Sequence, residues 1–101
     1  MRTVVAYVPD LMDRSRVQAA APAVRFVGAP GDLTAAAEGA DVVVVDLSRP
    51  GAIDALPPAA RTVIGFAPHV DRDLLKAARD RGCTEVLPRS QFFRRAAELL
   101  G

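Results

Sequence analysis

The stretch "ADVVVVDLSRPG", residues 40–51, constrains the fold more than any other part of the chain. Its consecutive valines leave no polar side for solvent. A strand that is apolar at every position is buried on both faces, and such strands belong to parallel sheets covered by helices. β-Branched side chains also fit a pleated backbone better than a helical one. The run then stops abruptly. Asp46 closes it, and Pro50 and Gly51 follow shortly after, residues that end regular structure.

Four further runs repeat the pattern: "TVVAYV" (3–8), "AVRFVG" (23–28), "TVIGFA" (62–67) and "TEVLP" (84–88). Each is followed by a segment with helix signals. "DLMDRSRVQAAA" starts with Asp10 as a cap, and Asp13 stands three residues on, near a capping-box arrangement. "DLTAAAEG" has Asp32 as cap and Gly39 as stop. "PGAIDALPP" has room for a turn or two of helix before its proline pair. "DRDLLKAARDRG" has Asp71 as cap, Leu74, Leu75 and Ala78 on one face, and Gly82 at its end. "SQFFRRAAELL" closes the chain as a helix capped by Ser90. Strand and helix thus alternate five times. The pattern predicts a flavodoxin-like, doubly wound α/β fold: a five-stranded parallel sheet in the order 2-1-3-4-5, with helices on both faces.

A chain of 101 residues suits one domain, residues 1–101, and can bury a core without disulfides or metal. The net charge of +1, with basic residues scattered, predicts neither a nucleic-acid nor a membrane partner. One cysteine rules out an internal disulfide framework or a multi-thiolate metal site. "MRTVVAYVPD" does not read as a secretory signal, and the cytoplasm is the expected location. No Gly-rich phosphate loop is present.

In a doubly wound sheet, ligands sit at the carboxyl ends of the strands where the strand order reverses. Here that point lies between the first and third strands. Asp10 follows the first and Asp46 ends the third, so the two carboxylates are expected to share one cleft. Such a pair suits a proton or a hard cation such as Mg²⁺, bound weakly. Each acid has a second reading, Asp10 as a helix cap and Asp46 as a loop anchor accepting backbone N–H bonds. His69, in "FAPHVD", falls on the loop after the fourth strand, as a cleft-edge proton-transfer group or an ordinary loop histidine. Cys83 reads as a small, partly buried residue, and Gly65 as a point of close packing.

At this point the sequence resembles the receiver domain of bacterial two-component response regulators, over nearly its whole length. "VVVVDLSRPG" resembles the receiver's third strand, with Asp46 in the phosphoacceptor position and Pro50 at the usual spacing. "VPDLMDRSRV" resembles the acidic tip of the first strand and the first helix, and "GCTEVLPRSQF" the fifth strand and the start of the last helix. The resemblance implies a two-component signalling cleft with Asp46 as acceptor and Asp10 as the one surviving metal carboxylate, together with Pro50, Ala67 and Arg89; His69 stands near its edge by loop position alone.

Several positions depart from that pattern. Pro9 replaces the first of two adjacent acids, and Ala67 replaces the hydroxyl residue ending strand four. Arg89–Ser90 replaces the Lys–Pro pair, and Val86 the aromatic switch residue. Arg89 differs in geometry from an ammonium, and it is expected to pair with Asp46 and fix its charge. These departures imply a degenerate, or pseudo-, receiver that acts as a regulatory protein-interaction module, not as an enzyme. The alternative is a functional response regulator phosphorylated on Asp46 by a histidine kinase. An enzyme using Asp10, Asp46 and His69 lacks an activated nucleophile with an oriented base.

The last helix also carries two apolar rows. Phe92, Ala96 and Leu99 are expected to face the sheet. Phe93, Ala97 and Leu100 form a second row, either an exposed surface for a weak homodimer or a second buried row of a helix wedged between the sheet and its neighbour.

Overall fold

The structure is a computed structural model that describes residues 2–57 and 62–101. Its strands are β1 (Val4–Tyr7), β2 (Arg25–Phe26), β3 (Val42–Asp46), β4 (Thr62–Ala67) and β5 (Glu85–Pro88). Its helices are α1 (Leu11–Ala20), α2 (Leu33–Ala36), α3 (Arg72–Asp80) and α4 (Arg89–Leu100). Short 3₁₀ turns at Pro30–Asp32 and Ile53–Ala55 complete the described elements. All strand pairs are parallel, in the order β2-β1-β3-β4-β5. The doubly wound architecture expected from the alternation is therefore the one observed.

The valine run explains itself in this frame. β3 lies at the centre of the sheet, and every one of its residues is buried. Val43 and Val45 point to a core shared with Leu33 of α2 and Leu75 and Ala78 of α3. Val42 and Val44 point to the opposite core, with Val17 of α1 and Phe92 and Leu100 of α4. Gly65 of β4 lets Leu47 lie across the sheet, since a Cβ there would stand 2.7 Å from Leu47 Cδ1. On the other face Phe66 stacks on Phe92, with ring centroids 4.7 Å apart.

The chain breaks after β3 because "RPGA" is a tight turn. Ala52 N–H donates to the Arg49 carbonyl at 3.1 Å, with Pro50 and Gly51 at its two corners. Gly51 has φ +79°, the left-handed value that the second corner of a type II turn demands. Gly82, at φ +101°, ends α3 in the same way. Its N–H reaches the Arg79 carbonyl, and Cys83 N–H reaches that of Ala78, the paired bonds of a Schellman ending.

Several local expectations are corrected. The second strand is two residues long, not six, and forms an edge of the sheet. Ser90 does not cap α4. β5 passes into the helix without a loop, so Pro88 holds the cap position, Arg89 is the first helical residue and Ser90 is already inside. Asp32 and Asp71 precede helices but make no side-chain cap bond. Asp32 is itself in helical backbone (φ −85°, ψ −9°), and Asp71 (φ −92°, ψ 65°) is not extended. The third crossover holds only the Ile53–Ala55 turn among the described residues, and Pro58 of the proline pair lies outside them.

The rows of α4 are also reassigned. The buried row is Phe92, Ala96 and Leu100, and Leu99 is only partly buried. With Leu100 2% exposed, Phe93, Ala97 and Leu100 do not form an open apolar stripe. The eight-residue span fits a straight helix lying along the sheet, because it covers just over two turns. Phe93 packs edge-on against Phe66 and Phe92, and the guanidinium of Arg16 lies 4.2 Å from its ring centre.

Candidate functional site

The carboxyl ends of β1 and β3 are adjacent, with Tyr7 paired to Val45, and their loops carry Asp10 and Asp46 into one cleft of about 260 Å³. Ala67 and Pro68 close it from β4, and Arg89 from the start of α4. Asp13 and Arg49 also line it, and sequence reasoning placed neither there.

Asp10 is the N-cap of α1, as expected. Asp13 N–H donates to its Oδ1 at 3.0 Å. That bond holds the Asp10 carboxyl below its usual range, aided by the Met12 N–H and the charges of Arg89 and Arg49. The reciprocal half of a capping box is absent, because Asp13 turns inward. Asp13 is 1% exposed, and its two oxygens accept from the two terminal nitrogens of Arg89. This forked pairing raises the Arg89 pKa further above its ordinary value.

Asp46 is 3% exposed, and its oxygens are also engaged. Ser48 donates to Oδ1 twice, from N–H at 3.0 Å and from Oγ at 2.6 Å. Arg49 Nε stands 3.6 Å from Oδ2. Asp46 thus anchors the loop that it opens, by a local turn motif reinforced with an ion pair. The expected Arg89–Asp46 bond is corrected: Arg89 is bound to Asp13 and reaches Asp46 only through its field. The fork from the first residue of α4 meets α1 before it meets β3.

Of the remaining expected cleft residues, Ala67 is buried at the cleft floor and contributes no hydroxyl. Pro50 and His69 are exposed and do not line the cleft. Pro50 belongs to the turn beyond it, and His69 follows the wall residue Pro68 outward. Asp13 and Asp46 have guanidinium groups beside them, and the described residues hold no group of three or more carboxylate, imidazole or thiol ligands spaced for a metal.

Comparison with solved structures identifies the fold. No protein-family model matches the sequence, and no curated protein matches it. The chain is similar in structure to a response regulator from Hahella chejuensis (TM-score 0.80, 16% identity, covering 99% of this chain and 92% of that one). The fold is the receiver fold. A CheY-like protein, tadZ, from Pseudomonas aeruginosa PAO1 is similar at TM-score 0.71 and 19% identity, covering 98% of this chain and 93% of that one. A phosphorylated cyanobacterial phytochrome response regulator, RcpA, is similar at TM-score 0.72 and 14% identity, covering 97% and 90%. In the receiver fold the cleft between β1 and β3 is the switch-point crevice, and here three aspartates and two arginines fill it. No helix among the described residues is long and apolar enough to cross a membrane.

Proposed function

We propose that this receiver-fold chain is a regulatory protein-interaction module that works without a phosphorylation switch. The observation that carries the reading is the state of Asp46. Its Oδ1 accepts twice from Ser48, its Oδ2 stands 3.6 Å from Arg49 Nε, and it is 3% exposed. In-line attack on a phosphoryl donor needs a free carboxylate oxygen and a counter-charge on the incoming phosphoryl oxygens. Oδ1 of Asp46 is taken up by Ser48, and Oδ2 faces the Arg49 guanidinium, so a productive approach of a phosphoryl donor needs the loop to rearrange.

Two features support the reading. Ala67 offers no hydroxyl to sense a phosphoryl group at the end of β4. Arg89 is spent on Asp13, so a new anion at Asp46 has no free cation at the β5–α4 junction to draw inward. The module then acts by presenting a fixed surface and has no catalytic turnover.

A second reading is a working phosphoacceptor, favoured by the placing of Asp46 at the tip of β3 beside Asp10. Intact-mass measurement after incubation with Mg²⁺ and acetyl phosphate separates the two. The proposal expects an unmodified chain. A base-labile phosphoryl adduct that disappears in Asp46→Asn overturns it.

A further inference from the structure

We infer that Arg89 and Arg49 are the built-in counter-ions of the acidic cleft, holding the positive charge that a divalent cation would otherwise supply there. The inference rests on reading the cleft as the site of a receiver-fold module, and it concerns the cation chemistry of that site.

The charges argue for it first. Asp10, Asp13 and Asp46 converge on one cleft, and two of them are almost fully buried. Buried carboxylates at such spacing need compensation, or they take up protons or a cation. Arg89 gives Asp13 a forked, charge-assisted pair, and Arg49 stands beside Asp46. Both arginines enter from the cleft rim, with side chains 41% and 40% exposed, so their heads are delivered to the acids from solvent.

Arg89 is also firmly placed. Its guanidinium lies 5.1 Å from the Phe93 ring centre, and Phe93 is itself wedged against Phe66 and Phe92. A planar cation over an aromatic face and in a bidentate carboxylate pair is pre-organised, so a hydrated ion must displace it to gain Asp13. Mg²⁺ gives up its waters reluctantly and needs near-octahedral oxygen geometry. The internal cation therefore wins.

Amide NMR spectra with added Mn²⁺ test this. Wild-type protein should show no selective broadening of the Asp10, Asp13 and Ser48 amides at millimolar Mn²⁺. Arg89→Ala and Arg49→Ala each vacate one cation, and in each the same amides should broaden, with Mn²⁺ binding on the order of tenfold tighter than in wild type. The two variants are independent, so a folding defect in one leaves the other decisive. Selective broadening in wild type overturns the inference, as does a folded variant that stays blind to Mn²⁺. Failure here is separable from failure of the proposed function. A chain that binds Mn²⁺ and is never phosphorylated removes only the counter-ion role. A chain that is phosphorylated yet blind to Mn²⁺ removes only the switch-free reading.

Discussion

Arg89 is bound to Asp13 across 76 positions of sequence, which clamps the first residue of α4 to the first turn of α1. The clamp joins two helices on the same face of the sheet and leaves a buried carboxylate dependent on one partner. Arg89→Ala should therefore destabilise the fold. Full burial of such a pair would set the loss at about 3–5 kcal/mol. Because Arg89 is 41% exposed, water can reach the vacated place, and about 1–3 kcal/mol is expected. Urea denaturation measures it, and Asp13→Asn in the Arg89→Ala background should recover part of the loss.

The close approach of Leu47 to Gly65 gives a prediction about packing. Gly65→Ala places a methyl group 2.7 Å from Leu47 Cδ1 in a layer where Leu47 is 2% exposed. Overpacking of this kind costs about 1–3 kcal/mol. Leu47→Ala alone should also destabilise, by leaving a cavity. The double variant should be more stable than the sum of the single losses, because each change relieves the other.

Phe93 should matter to stability. Its ring touches Phe66 and Phe92 and carries Arg16 and Arg89 on its faces. Phe93→Ser is expected to lower the denaturation midpoint. The cost should fall below the ~3–5 kcal/mol of truncating a fully buried phenylalanine such as Phe92. A Phe93→Ser midpoint equal to wild type would contradict this packing.

Acid should weaken the α1 cap in a defined direction. The Asp10 carboxyl is held below its usual pKa of 3.8, first by the Asp13 N–H. A depressed folded-state value contributes stability above the unfolded value, and that contribution is lost as pH falls through the folded value. Wild type and Asp10→Ala should therefore differ in stability at neutral pH and converge under strongly acidic conditions. A constant difference down the acid limb would contradict the capping role. Arg89 titrates in the opposite sense and far above neutrality, so it adds nothing to this window.

Burial pushes the Cys83 thiol up to about 11. The thiolate is the reactive form, so Cys83 should alkylate slowly in the native protein near neutral pH and quickly on unfolding. Rapid native labelling by iodoacetamide would contradict the burial.

The fold was legible because its signals are local. Unbroken β-branched runs, Asp at Asp10 and Gly at Gly82 and Gly51 each act within a few residues of themselves. Ser90 misled because nothing local says that β5 enters α4 without a loop. The rows of α4 misled because Leu99 and Leu100 are adjacent, and only the seating of the helix on the sheet chooses between them. Asp10 and Asp46 were placed in one cleft by topology alone. The Arg89–Asp13 pair was not, because which acid a long side chain reaches depends on the angle between two helices. Arg49, three residues after Asp46, carried a local hint: a turn brings such a pair together.

The most direct test of the account exposes the protein to Mg²⁺ and beryllium trifluoride, a phosphoryl mimic, and follows its amide NMR spectrum. With Asp46 engaged by Ser48 and Arg49, the amides of Ser48, Ala67 and Arg89 should keep their positions. A concerted shift of those amides, abolished by Asp46→Asn, would show a live phosphoryl switch and contradict the account.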